Sequence, residues 1–332
     1  MRIDLIKRAM SASPKKQFNL FKIYFSYLLH LPKPFGMPIR LMVEPANFCN
    51  LACPTCPVGN GEIKKAKGLL SGDNFKKIID EAGDYLYHLT LWNWGEPFLN
   101  AGLADFIKYA RAKNIYVVTS TNGHFLNEQI AKNIIDADLN EIIIALDGLS
   151  QLTLERYRKN ANIEQIISGI KTLVDLKKKS KKINPILQLQ FIVMKHNEHE
   201  LSRVEDFAKE LGFDKLVMKT FGSHLDQDRL KEFEPVDKKF SRYDKQTKNQ
   251  NDCKNIWLGM NINYDGGVVP CCYDPFEQNQ FGNIFNDGGI KNIWQGGRFV
   301  NFRKAILNSK QNIGICKNCD FNKNINKVIN LN

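Results

Sequence analysis

From residue 38 to residue 219 the chain alternates short β-rich runs with stretches of helical spacing, and that order leaves few folds open. The β-rich runs fall at 39–43, 88–92, 116–120, 141–146, 187–194 and 215–218. Apolar residues with helical spacing fall between them, at 73–82, 103–112, 126–135, 163–176 and 201–211. Strands separated by helices lie parallel, because each helix carries the chain back to the end of the sheet where it began. Six such units predict an α/β fold, a partial (β/α)6 barrel of the TIM type that stays open. Sites on such folds form in the loops at the carboxyl ends of the strands.

The remaining segments frame this core. The pattern predicts an N-terminal helical extension at 1–37, the core at 38–219, a polar linker at 220–252 and a small cysteine-bearing subdomain at 253–332. Within the last, runs at 260–264 and 268–271 flank Asp265-Gly266-Gly267 and predict a hairpin. Residues 290–307 predict one helix, with Trp294 and Phe302 as core anchors. Only about 37 residues precede the barrel. That is too few for a folded peptide-recognition module and turns the expectation toward a small-molecule substrate.

A hydrophobic content of 43% with 25% charged residues describes an ordinary globular core and argues against disorder. The formal net charge of +12 is spread along the chain. Its one dense run, Lys177-Lys178-Lys179-Ser180-Lys181-Lys182, lies where a helix should end and where cations are favoured, so no nucleic-acid partner is expected. Residues 20–31 (LFKIYFSYLLHL) are too few to span a bilayer, and no cleavage site follows them. They predict an amphipathic helix packed on the body. Nearby Lys15, Lys16 and Lys22 keep peripheral membrane contact open as an alternative. With no secretory signal the expected location is cytoplasmic, where eight cysteines read as metal ligands or catalytic thiols rather than disulfides.

Three of those cysteines, Cys49, Cys53 and Cys56, fall within eight residues directly after the first strand. Three thiolates can hold three irons of a cubane and leave the fourth iron open. A structural zinc would need a fourth ligand nearby, and no histidine lies in this loop. Cys-x3-Cys-x2-Cys in this place resembles the signature of radical S-adenosylmethionine (SAM) enzymes. The resemblance implies a [4Fe–4S] cluster whose open iron binds SAM. It implies reductive cleavage of SAM to a 5′-deoxyadenosyl radical that abstracts a substrate hydrogen atom, and a reductant such as flavodoxin or ferredoxin. One departure is Thr55, where the family usually has an aromatic residue that packs on adenine.

Later strand ends resemble the same family. Trp94-Gly95-Glu96-Pro97 is similar to its Gly-Gly-Glu-Pro motif, which implies that Gly95, Glu96 and Pro97 hold the methionine amino group. Ser120-Thr121-Asn122-Gly123 is similar to the segment that contacts ribose and carboxylate, which implies roles for Ser120 and Asn122. Leu146-Asp147-Gly148 resembles a further family turn and places Asp147 near SAM. Taken alone, each of these reads as a plain turn. His196 and His199 read as a solvated helix start or, alternatively, as substrate contacts at the barrel mouth.

The second cysteine group comprises Cys253, Cys271, Cys316 and Cys319, with Cys272 adjacent. Four thiols can close a second cubane, while paired Cys-x2-Cys also suits zinc. Neighbours on a strand point to opposite faces, so one of Cys271 and Cys272 is expected not to ligate, and the position of Gly266 favours Cys271. This part is similar to the SPASM or twitch extension of radical SAM enzymes, which implies one auxiliary [4Fe–4S] cluster. The expected function is oxidation of a polar, carbohydrate-like small molecule. The alternatives are a peptide-modifying maturase of the RiPP or sulfatase type, and a non-catalytic iron–sulfur or zinc scaffold.

Overall fold

The computed structural model describes residues 8, 10–222, 231–241, 251–317, 319 and 326–331. Much of the 220–252 stretch, expected as a linker, lies outside the described residues. Helix α1 (Pro14–Leu28) precedes β1 (Arg40–Val43). The core continues through α2 (Gly72–Ala82), β2 (His88–Leu91), α3 (Leu103–Ala112), β3 (Tyr116–Thr121), α4 (Glu128–Asp136) and β4 (Glu141–Ala145). It ends with α5 (Gln151–Tyr157), α6 (Ile163–Lys179), β5 (Ile186–Val193), α7 (Val204–Glu210) and β6 (Lys215–Thr220). The C-terminal part adds α8 (Lys254–Leu258), β7 (Gly259–Ile262), β8 (Gly267–Val269), β9 (Gly282–Asn283), α9 (Gly289–Trp294), α10 (Gly297–Ser309) and β10 (Lys327–Asn330).

Local chemistry sets the helix starts. Ser71, Asn127, Ser150 and Asn162 each accept a backbone N–H of the first turn through a side-chain oxygen. The helices then bury one apolar stripe against the sheet. α6 turns Ile166, Ile170 and Leu173 inward, and Phe75 of α2 stacks on Phe106 of α3 at 4.3 Å between centroids. Strand residues Leu41, Leu89, Val117, Ile142 and Leu187 are fully buried, as expected for a parallel sheet covered by helices.

Strands β1 to β6 pair in parallel in chain order. The barrel does not close: β6 takes β10 antiparallel on its outer edge, and β1 takes β7 in parallel, with Arg40 opposite Gly259 and Val43 opposite Ile262. This is the expected partial barrel. The C-terminal part is not a separate layer, because β7, β8 and β9 extend the same ten-stranded sheet. The first and second cysteine groups therefore flank neighbouring strands.

Two local expectations change. The single helix at 290–307 is broken into α9 and α10, because Gly296 is extended (φ −71°, ψ 158°) and a Gly-Gly pair holds helix poorly. The second hairpin strand ends at Val269, since Pro270 has no N–H to donate. Cys271 and Cys272 thus sit on a turn, and strand alternation does not decide between them.

Candidate active site

The cysteine loop leaves β1 at its carboxyl end and is held at every stage. The Cys56 N–H donates to the Cys53 carbonyl at 3.1 Å, and Leu51 N–H points at the Cys49 sulfur at 3.4 Å. Backbone N–H groups of Val58 and Gly59 donate to the Cys56 sulfur. Gly59 is required there, since a Cβ would stand 2.7 Å from the Cys53 nitrogen. Burial pushes the Cys53 thiol up to about 12 and raises those of Cys49 and Cys56. Buried thiols of this kind become thiolates only beside positive charge, which a metal centre supplies. Three sulfurs in one loop, fed by N–H donors, fit an iron–sulfur group.

The next two strand ends close around this loop. Gly95 lies so near the preceding loop that a Cβ would collide with the Ala46 carbonyl, and Glu96 N–H donates to Phe48 O at 2.9 Å. The Glu96 carboxylate is buried. It accepts Phe98 N–H at 3.1 Å, the Thr121 hydroxyl at 2.9 Å and Asn122 N–H at 2.9 Å. It thereby ties β2 to β3 and caps the short turn Pro97–Leu99. Asn122 reaches back, its amide nitrogen 2.8 Å from Asn50 Oδ1 and 3.6 Å from the Cys49 sulfur. Gly123 follows at φ +86°, a conformation that favours glycine. Ser120 is half-buried at the end of the same strand.

Asp147 follows at the end of β4. Its carboxylate is wholly buried, accepting Arg158 Nε at 2.7 Å and its terminal nitrogen at 2.6 Å on one oxygen, and Ile192 N–H at 2.7 Å on the other. Both oxygens are thus engaged by this chain's own donors, which fixes Arg158 beside the cysteine loop. Sequence reasoning missed Arg158, which follows an unanticipated short helix. Its guanidinium lowers the thiols of Cys53 and Cys56, opposing the effect of burial. The segment around it clamps the cysteine loop: Ala52 N–H donates to Lys159 O at 3.2 Å, and the Thr55 and Tyr157 hydroxyls stand 2.7 Å apart. Tyr157 thus stands beside Thr55, the position at which the chain departs from the family pattern. His196 is not solvated; its ring packs near Tyr157 (6.4 Å) and Phe233 (5.7 Å).

The second cysteine group converges from three segments. Cys253, Cys271, Cys316 and Cys319 line one cavity with Ile256, Phe302 and Lys310, and Cys272 does not line it. Cys319 N–H donates to Cys316 O at 3.1 Å, the same turn that joins Cys53 to Cys56. Among the described residues no three such side chains gather closely enough for a single ion. The four thiols share one cavity, so ligands from three segments distant in sequence are brought together.

A polar cluster gathers at the carboxyl ends of β1, β2 and β7, on the side where the Cys49–Cys56 loop leaves β1. Lys65 pairs with Glu277 and with Asp265 (2.8 Å). Asn263 donates to Glu277 at 2.9 Å, and Asn93 donates to Asn263 at 3.3 Å. Asn93 Oδ1 and Trp94 Nε1 are buried with no partner. Glu44, buried beside them, is pushed up to about 7 by desolvation. An acid raised from 4.5 to 7 favours the folded state below pH 4.5, and that contribution is lost as pH rises through 7. Glu44→Gln should therefore match the wild type in thermal melts at pH 5. At pH 8 it should be the more stable of the two, by on the order of 3 kcal/mol at most.

Comparison with known proteins agrees with this geometry. A family model described as the Radical SAM superfamily matches residues 43–208, and one described as an iron–sulfur cluster-binding domain (SPASM) matches residues 253–320. The mycofactocin maturase MftC of Mycolicibacterium smegmatis is 24% identical over 308 residues, covering 85% of this chain and 75% of the relative. Other curated relatives, the probable GTP 3′,8-cyclases, are matched over only about half of their own length. Among solved structures, BtrN in complex with AdoMet and 2-DOIA superposes with a TM-score of 0.55 at 17% identity, covering 86% of this chain and 93% of that one. Native anSMEcpe with bound AdoMet and Cp18Cys peptide gives 0.62 at 17% identity, covering 86% and 91%. One family model thus spans half of the chain, including the loop that gathers the three thiols. The chain therefore belongs to the radical SAM superfamily, with a SAM-binding [4Fe–4S] cluster and a C-terminal iron–sulfur domain as its cofactor equipment.

Proposed function

We propose that this enzyme oxidises a hydroxyl group of a polar, carbohydrate-like small molecule in the cytoplasm, drawing electrons from a flavodoxin or ferredoxin. The observation that carries the reading is the polar cluster of Glu44, Lys65, Asn93, Asn263 and Glu277, gathered at the strand ends that also carry the Cys49–Cys56 loop. Amides, carboxylates and an ammonium at this density suit a ligand bearing several hydroxyl or amino groups. The likeness to BtrN, bound to AdoMet and 2-DOIA, supports a ligand of that kind.

Cys49, Cys53 and Cys56 would hold the SAM-binding cluster, and Cys253, Cys271, Cys316 and Cys319 one auxiliary cluster. When bound, these groups and SAM supply hydrogen-atom abstraction and a one-electron acceptor for the substrate radical. The chain's own residues do the rest. Gly95 and Pro97 shape the β2 loop, Glu96 locks it to β3, and Ser120 and Asn122 present that strand end toward SAM. Glu44, neutral or ionised near pH 7, is placed to receive the hydroxyl proton.

The test uses anaerobically reconstituted enzyme with SAM, dithionite and a panel of aminocyclitols and nucleotide sugars deuterated at the carbinol carbon. The expected result is deuterium in 5′-deoxyadenosine together with one ketone per SAM consumed. Replacing Cys316 and Cys319 with Ala should keep 5′-deoxyadenosine measurable while lowering ketone at least tenfold. A peptide substrate is the second reading, favoured by the likeness to peptide-bound anSMEcpe. Deuterium transfer from a peptide, with none from any panel compound, would overturn the first.

A further inference from the structure

Helix α1 packs one face on the body and leaves a second, apolar face uncovered. The residues it buries fully are Lys16, Asn19, Ile23 and Ser26, mostly polar, with Leu20, Tyr24 and Tyr27 half-buried against the core beside them. Each polar member is satisfied there. Lys16 Nζ donates to the Lys113 carbonyl at 2.9 Å, and Asn19 exchanges two bonds with the Met37 backbone at 3.1 and 2.8 Å. Ser26 donates to Lys22 O at 2.7 Å and accepts Phe35 N–H at 2.9 Å. The stripe turned to solvent is apolar. Phe18 is 60% exposed, Phe21 64%, Phe25 43% and Leu28 70%, at spacings that share one helix face. Leu29 and Phe35 extend it. An aromatic patch of this continuity on an otherwise charged surface marks a docking site.

Its surroundings say what docks. Between residues 5 and 43 the chain has seven Lys or Arg and no Asp or Glu, and although Lys16 is buried and Lys15 is paired with Asp84, Lys22 and Lys33 stand at the patch itself. The Lys22 ammonium lies 4.3 Å from the Phe18 ring centroid, so the stem covers the patch while the charge stays at its rim. Lys33 is exposed at the far end. Two copies meeting through this stripe would bring like charges together, which disfavours self-association. An anionic lipid surface offers both complements, an apolar layer for the rings and acidic headgroups for the lysines. No described helix is long and apolar enough to cross a membrane, so α1 would lie in the interface.

We infer that the Phe18, Phe21, Phe25 and Leu28 face of α1 docks this enzyme on an anionic bilayer surface. Its placement keeps the active site free. Lys15 pairs with Asp84 just before β2, Lys16 reaches the residue chain just before β3, and Arg8 lies over the ring of Tyr116 at the start of β3. α1 thus sits at the amino ends of the strands, opposite the Cys49–Cys56 loop, and its last turn meets the segment before Cys253, where the Tyr27 hydroxyl donates to Asp252 at 2.8 Å. Docked this way, the mouth of the barrel faces the aqueous phase.

The experiment is co-sedimentation of the reconstituted full chain with phosphatidylcholine vesicles, with and without phosphatidylglycerol, at low and high salt. Wild type should bind the anionic vesicles at least tenfold more tightly than the neutral ones and lose much of that binding in high salt. The Phe18→Ser/Phe21→Ser/Phe25→Ser variant should lose binding at least tenfold while keeping iron content and basal 5′-deoxyadenosine formation. Lys22→Glu/Lys33→Glu, which leaves the rings intact, gives a second readout should the triple variant misfold. Equal binding to both vesicle types, or unchanged binding by a folded variant, would overturn the inference. So would a dimer in sedimentation velocity that the triple change dissolves, since a second copy would then cover the face.

Discussion

Cys53→Ala enzyme, purified and reconstituted without oxygen, is expected to make no 5′-deoxyadenosine above background. Cys53 is 8% exposed, and it shares its loop with only two other thiols. Removing one of three anchors leaves two protein ligands for a cluster that already has an open iron. Iron should fall from about eight to about four atoms per chain, because the four thiols around the second cavity are untouched. The substitution itself is small and should leave the fold intact, so the loss should track the cluster rather than stability. Cys49→Ala and Cys56→Ala should behave alike. Cys272→Ala should keep all of its iron, because Cys272 does not line the second cavity. Wild-type product from any of the three loop variants would place the SAM cluster elsewhere.

The second large effect is expected at the buried pair of Asp147 and Arg158, whose side chains are 0% and 13% exposed. Asp147→Asn leaves the guanidinium without its counter-charge in a desolvated site. Breaking such a pair from one side costs about 3–5 kcal/mol. The damage should reach the cluster, because the segment that carries Arg158 also holds Ala52 and Thr55 of the cysteine loop. Urea unfolding and iron retention should therefore fall together. The Asp147→Leu/Arg158→Met double variant, which removes both charges, should recover most of the stability. If it is instead as unstable as Asp147→Asn, packing rather than an uncompensated charge is the cause.

These two sites differ in how they could have been seen. The three loop cysteines are legible because ligand spacing is a local property, and so is the strand that places them. The βα alternation is legible for the same reason, since periods of 2 and 3.6 mark strands and helices segment by segment. Asp147 was legible as a residue of interest, but its pairing with Arg158 was not. Its partner follows a short helix that has no long periodic pattern, and burial of a charge leaves no trace in spacing. Glu96 is similar: the motif marks it, but only the fold shows its carboxylate turned onto Thr121 and Asn122.

The sequence by itself determined the family, the open α/β barrel and the loop of three thiols, because each is read from local spacing and period. The tertiary structure decided what depends on distant segments meeting. It brought Cys253, Cys271, Cys316 and Cys319 to one cavity and left Cys272 aside, where adjacency alone could not choose. It joined β7 to β1, so that the C-terminal strands extend the barrel sheet. It also decided which residues of α1 are covered and which are left exposed. An amphipathic pattern tells that a helix has two faces, but which face meets the body is set by partners such as Lys113 and Met37, whose carbonyls and N–H groups needed Lys16 and Asn19.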